Sequence, residues 1–185
     1  MSRIFRKPAF WAVAAVVVVG MAFGLYWFQP WKLLTSQTVN DAVPAVVAPT
    51  ATPAATPALT PGEPQPSPVA VLVAEGALVT HEHDTSGTVQ LVRLPDGRYQ
   101  VILRDLATSD GPDLHVWLTD QQVLPGRDGW HVFDDGKYAD LGKLKGTHGT
   151  QLYDVPANVD PVRMRSVTIW CKRFKVSFAA APLQA

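Results

Sequence analysis

From Ala9 to Phe28 the chain is an unbroken apolar run. Wound as helix at ~1.5 Å per residue, those 20 positions reach about 30 Å, the thickness of a bilayer's hydrocarbon core. The pattern then changes twice. Between Asp41 and Ala70 proline recurs at Pro44, Pro49, Pro53, Pro57, Pro61, Pro64, Pro66 and Pro68. Proline removes a backbone donor and fixes φ, so helix and interior strand are not expected there. After Val69 short runs alternate apolar and polar residues between Gly, Pro, Asn and Asp, the pattern of half-buried strands.

The strands predicted by that alternation are Thr88 to Leu94, Arg98 to Asp105, a run around Leu114, Val116 and Leu118, Tyr138 to Lys145, Gln151 to Val155, Val167 to Cys171 and Phe174 to Phe178. Pro95-Asp96-Gly97 supplies a hairpin turn between the first two. Tyr99, Val101 and Leu103 share one face, and Ile102 lies on the other. No stretch after Val69 keeps a helical period over three turns. Asp120 to Gly136, with Pro125, Asp128-Gly129 and Asp134-Asp135-Gly136, reads as a surface excursion.

The expected organisation has four parts: a basic N-terminus over 1–8, a transmembrane helix over 9–28, a disordered Pro/Ala/Thr-rich linker over 29–68 and a β domain over 69–185. The domain is expected to be an all-β antiparallel sandwich or barrel. Arg3, Arg6 and Lys7 precede the apolar run, and only Lys32 follows it closely. The positive-inside bias therefore predicts a cytoplasmic N-terminus and an extracytoplasmic domain. Tyr26, Trp27 and Trp31 suit the outer membrane–water interface. A cleaved signal peptide is the rival; it has a shorter apolar core and a small-residue cleavage site, whereas Gln-Pro-Trp-Lys-Leu-Leu follows Phe28. As polyproline II, at ~3.1 Å per residue, Leu33 to Pro68 reaches on the order of 100 Å, and the linker reads as a spacer or an O-glycosylated stalk.

Charge excludes one class of partner. The β domain carries 12 Lys and Arg against 14 Asp and Glu, with signs interspersed. It lacks the basic face that nucleic acid requires. The predicted partners are the lipid bilayer through residues 9–28 and an unidentified redox or surface protein.

Cys171 is the only cysteine, so no intramolecular disulfide forms. A lone thiol outside the cytoplasm is sheltered, joined to another molecule or chemically employed. Strand alternation puts Cys171 on the face of Val167 and Ile169, opposite Thr168 and Trp170. A buried cysteine packs as a small hydrophobe with a raised pKa, whereas Lys172 and Arg173 would lower the pKa if they approached the sulfur. Cys-x-x-Cys exchange, covalent c-type haem and iron–sulfur clusters are excluded by the cysteine count. Blue copper lacks a compact ligand loop after Cys171. Non-covalent haem on Cys171 needs an apolar pocket of haem size. No cofactor is assigned.

His81 and His83, two apart on an expected strand, are candidate metal ligands with Asp84. The alternative has His83 bonding within the turn that follows it. Asp110-Gly-Pro-Asp113 reads as a turn whose carboxylates accept from nearby amides. Trp117 and Trp170 are expected to pack. No nucleophile elbow, P-loop, dinucleotide fingerprint or paired-His zinc helix is present, so no enzyme class is assigned.

Several tracts, in order, carry a family likeness. They are His83-Asp-Thr-Ser-Gly87, Leu103-Arg-Asp-Leu106, Gly111-Pro-Asp-Leu-His-Val-Trp-Leu118, Leu141-Gly-Lys-Leu-Lys-Gly146, Gly149-Thr-Gln-Leu-Tyr153, Val155-Pro156 and Ser166-Val-Thr-Ile-Trp-Cys-Lys-Arg-Phe174, with Phe178 and Leu183 after them. Gly76 to Leu183 resembles the DM-thirteen domain, described as an electron-transfer domain and found beside cytochrome-like redox modules in larger proteins. The motif positions are His83, Gly87, Gly111, Pro112, Asp113, Trp170 and Cys171. The resemblance implies a redox or electron-transfer role centred on Cys171, as bare thiol or haem ligand. The alternative is a non-catalytic cell-surface binding module in which Cys171 is a core residue.

Overall fold

The computed structural model describes residues 8–48 and 69–185. Arg3, Arg6, Lys7 and residues 49–68 lie outside the described residues. Helix α1 spans Pro8–Phe28, has no buried residue and is long and apolar enough to cross a membrane. A 3-10 turn over Pro30–Leu34 follows it.

The strands, in chain order, are β1 (Thr38–Asn40), β2 (Val46–Val47), β3 (Ala70–Ala77), β4 (Val79–Thr80), β5 (Ser86–Arg93), β6 (Tyr99–Ala107), β7 (Leu114–Thr119), β8 (Tyr138–Lys143), β9 (His148–Asp154), β10 (Ser166–Cys171) and β11 (Val176–Pro182). They form a six-stranded sheet, β1-β9-β6-β5-β3-β2, and a five-stranded sheet, β4-β11-β10-β7-β8. Inward alternation fills the space between them. Val89, Leu91, Val101 and Leu103 from the first sheet meet Val116, Leu118, Val167, Ile169 and Cys171 from the second. Each such aliphatic side chain contributes about 1.5–3 kcal/mol on full burial.

The outer faces are covered too. Trp117 and Trp170 stack at 5.1 Å outside the five-stranded sheet, with Tyr138 at 4.0 Å on Trp117. Phe133, from the irregular stretch after β7, closes over them. The predicted surface excursion is therefore a third layer, because two indole faces need an apolar cover. On the six-stranded sheet Ala70, Val92 and Ile102 are covered by Val43 and Val46.

Two expectations are corrected. The helix before the strands is present as expected, so the chain as a whole is mixed helix and sheet, but its sheets are not purely antiparallel. β1 runs parallel to β9, pairing Val39 with Gly149, and β2 runs parallel to β3, pairing Val46 with Ala70. Residues 29–48 are not an unstructured spacer either. They dock on the domain as the two edge strands of one sheet, so the helix is followed directly by a packed segment. Neither strand is long enough to show a period: Thr38–Asn40 has three residues, and Val46–Val47 has two, between Pro44 and Pro49. At sheet edges proline is tolerated. The remainder of the predicted linker lies outside the described residues.

Candidate functional site at the helix-proximal end

The β10–β11 turn, Lys172 to Lys175, meets the end of α1. Phe174 stacks on Phe28 at 5.7 Å. The Arg173 guanidinium lies over Trp27 at 5.6 Å and donates to the carbonyls of Tyr26 at 3.2 Å and Trp27 at 2.7 Å. Those carbonyls belong to the last turn of a helix, where a cation suits the negative end of the macrodipole. Trp27 and Trp31 are exposed. Lys32 pairs with Asp110 at 3.5 Å, and the Thr35 hydroxyl donates to the same carboxylate at 2.9 Å.

Cys171 lies directly behind this turn and is 0 % exposed. Burial pushes its thiol above the ordinary range, and the backbone amides of Phe174, Arg173 and Asp113 pull the other way without overcoming it. The side chains expected to activate the sulfur are occupied elsewhere. Lys172 binds Asp140 at 3.2 Å, and Arg173 binds the helix end. Cys171 belongs to the core cluster that also holds Val167, Ile169 and Val176. An axial haem ligand needs its sulfur at the wall of a cavity wide enough for the macrocycle. Cys171 is enclosed by core side chains, so the residues around it do not fit that role.

The two candidate metal histidines diverge because residues 81–83 form a bend, not a strand. His81 is buried, with Nδ1 2.8 Å from the Ser177 hydroxyl and Nε2 3.0 Å from the Leu124 carbonyl. Burial lowers its pKa against the opposing hydrogen bond to Leu124. His83 instead stacks on Phe178 at 3.9 Å, and its Nδ1 is 2.8 Å from Ser109 Oγ. The turn after His83 is bonded through the backbone, Thr85 Oγ1 donating to the His83 carbonyl at 2.9 Å. The described residues contain no group of three or more His, Cys, Asp and Glu arranged to hold a metal ion.

One cluster escapes sequence reasoning. His115 lies between two carboxylates, Nδ1 2.9 Å from Asp140 and Nε2 3.3 Å from Asp113. Burial alone would raise the Asp140 carboxyl, but His115, the Gly142 amide and Lys172 together hold it below the ordinary carboxylate range. Asp113 and His115 share the Gly111 to Leu118 tract; Asp140 comes from β8 and is brought in only by the β7–β8 pairing. Asp110 behaves as a turn carboxylate, accepting from the Gly111 amide at 2.7 Å.

Gly87, Gly111 and Trp170, from the same family-like tracts, fall at a register slip, a close approach and a packed aromatic layer. Gly87 sits where β5 slips register against β6. A Cβ on Gly111 would lie 2.9 Å from the Phe178 ring, so only glycine lets that loop close over it. Trp170 belongs to the outer aromatic layer. Gly146 and Gly149 face the docked segment: the Thr147 and His148 amides donate to the Gln37 carbonyl at 2.8 Å and 3.0 Å. The loop before them is held by Gln151 and Tyr153, with the Tyr153 hydroxyl donating to Gln151 at 2.7 Å and its pKa pushed by burial up to about 12.

Residues 77–183 match a family model described as Electron transfer DM13. No curated protein and no solved structure matches.

Proposed function

We propose a function from the premise that this chain belongs to the electron transfer DM13 family, whose model covers more than half of it. The chain is a single-pass, membrane-tethered module whose β domain faces away from the cytoplasm and acts by binding. Cys171 is a core residue in it. The observation that carries this reading is the sulfur's enclosure: Cys171 is 0 % exposed, and burial raises its thiol. Thiolate, the reactive form, is suppressed in such surroundings. The sign of the flanking charges, with Arg3, Arg6 and Lys7 before the helix and Lys32 after it, supports the orientation.

A second reading keeps electron transfer at Cys171. It is favoured by the family's description and by three backbone amides directed at the sulfur. One experiment separates the two. The full chain in lipid nanodiscs is reacted with a thiol reagent, and its absorption spectrum is recorded before and after chemical reduction. The binding reading expects no labelling until denaturant is added and no redox-dependent absorption band. Fast labelling of the folded chain, with a spectrum that responds to reductant and is lost in Cys171→Ala, would replace it with electron transfer.

A further inference from the structure

The end of α1 and the β domain enclose a cleft of about 240 Å³ that the readings above do not use. Its apolar lining comes from both sides of the junction: Phe28 from the helix, and Phe174, Phe178 and Pro112 from the domain. Two of its rings already stack, Phe28 on Phe174 at 5.7 Å, and a third, Phe178, stacks on His83 at 3.9 Å. The cleft also has a polar part, formed by Lys32 and Asp110 with His83 and Glu82. It sits beside Trp27, exposed at the end of the candidate membrane helix.

These features restrict the occupant. The position, at the level where the helix leaves the lipid, gives access from the bilayer rather than from the aqueous side alone. Aromatic faces favour a flat ring over a flexible chain, because ring–ring contacts add about 0.5–1.5 kcal/mol beyond area. The polar residues are mismatched to an acyl chain, since an apolar tail would strip their water without returning hydrogen bonds. A carbonyl or hydroxyl oxygen on the ring would accept from Lys32 or bond His83. The volume is below the roughly 300–1,000 Å³ of sites for drug-sized molecules, so one substituted ring fits and a macrocycle does not. By contrast, the wider hollow near Asp120 and Asp160, about 660 Å³, is lined by residues of both charges and lies away from the helix.

We propose that this junction cleft binds the headgroup of a lipid-soluble ring compound of the quinone class, with its tail left in the bilayer. The proposal rests on the reading that α1 spans the membrane. It deepens the binding reading by naming a ligand class, and it needs no chemistry at Cys171.

The test uses the full chain in zwitterionic nanodiscs, titrated with ubiquinone-1 and, separately, with palmitoleate. The readout is the imidazole NMR signal of His83, with exposed His131 as internal control and empty nanodiscs as the partition baseline. The expected result is a saturable shift at His83 with ubiquinone-1, none at His131, and none at His83 with palmitoleate. Phe174→Ala should weaken the midpoint by about tenfold, the equivalent of ~1.4 kcal/mol. Since that change also frees Phe28, Pro112→Trp, which fills the cleft from the loop, is measured beside it and should abolish the shift while leaving the domain's melting temperature unchanged. No saturable shift with ubiquinone-1, an equal response to palmitoleate, or a shift retained in Pro112→Trp would overturn the proposal. Protease protection of the chain in sealed vesicles reports independently on whether the domain is held at the membrane, so failure of the tether is distinguishable from failure of the cleft.

Discussion

A Cβ placed on Gly149 would lie 2.2 Å from the carbonyl oxygen of Val39, far inside van der Waals contact. This glycine of β9 therefore exists in register with a residue 110 positions earlier, the same separation as the Thr150–Asn40 hydrogen bond beside it. It also holds φ at +96°, a conformation that side-chain-bearing residues rarely adopt. Gly149→Val should destabilise the domain by at least about 2 kcal/mol, through clash and backbone strain together. Val39→Pro acts on the docked strand alone. Hydrogen exchange is expected to show loss of protection at Asp41, whose amide donates to Thr150, with Ile169 in the core unchanged.

The docked segment should come loose in acid. The Lys145 hydrogen bond, with help from the Leu152 amide, holds the Asp41 carboxyl below its ordinary value of 3.8. A carboxyl whose folded pKa is depressed contributes stability above its unfolded pKa and loses it as pH falls through the folded one. Exchange protection over Thr38–Asn40 should therefore hold at neutral pH and decline below about 3.8. Asp41→Asn should weaken protection at neutral pH and remove that acid dependence.

His81 gives a dependence at milder pH. Burial lowers its pKa from 6.5, so the folded state resists a proton that the unfolded state accepts. Stability must then fall as pH drops below about 6.5 and level off once pH passes the folded pKa. Urea midpoints measured from about pH 7.5 down to about pH 5, across the range where an ordinary imidazole titrates, should decrease for the natural chain. They should decrease less steeply for His81→Gln. An identical slope in the two would show that His81 is not the group responsible.

Substitution at Cys171 separates packing from chemistry. Cys171→Ala leaves a small cavity and should cost about 1 kcal/mol. Cys171→Ser fits the same volume but buries a hydroxyl among Val167 and Ile169, at a cost of about 1–3 kcal/mol. Serine worse than alanine in urea unfolding is the expected order for a core position. Serine better than alanine would show that the three surrounding amides reward a polar atom there.

The period-two alternation was enough to identify most of the central strands, the Pro95-Asp96-Gly97 hairpin and the inward face of Cys171, because a strand's side-chain direction is a property of the local backbone. The apolar length of α1 was equally local. Sequence missed β1, β2 and β4, which carry too few residues to show a period and gain their definition from β9, β3 and β11, and it missed β3, whose opening Ala70-Val-Leu-Val-Ala74 is apolar without alternation. It also missed the Asp113–His115–Asp140 cluster, which exists only through the β7–β8 pairing. His81 and His83 are two apart in sequence, and the bend between them stacks one ring on Phe133 and the other on Phe178. Chain order alone thus established a membrane-length helix, a β domain and an inward-facing strand position for Cys171. Tertiary structure alone decided that the segment after the helix docks on the domain and that a cleft opens at the junction, because contacts across 110 residues depend on the packed sheet and leave no periodic trace in either partner.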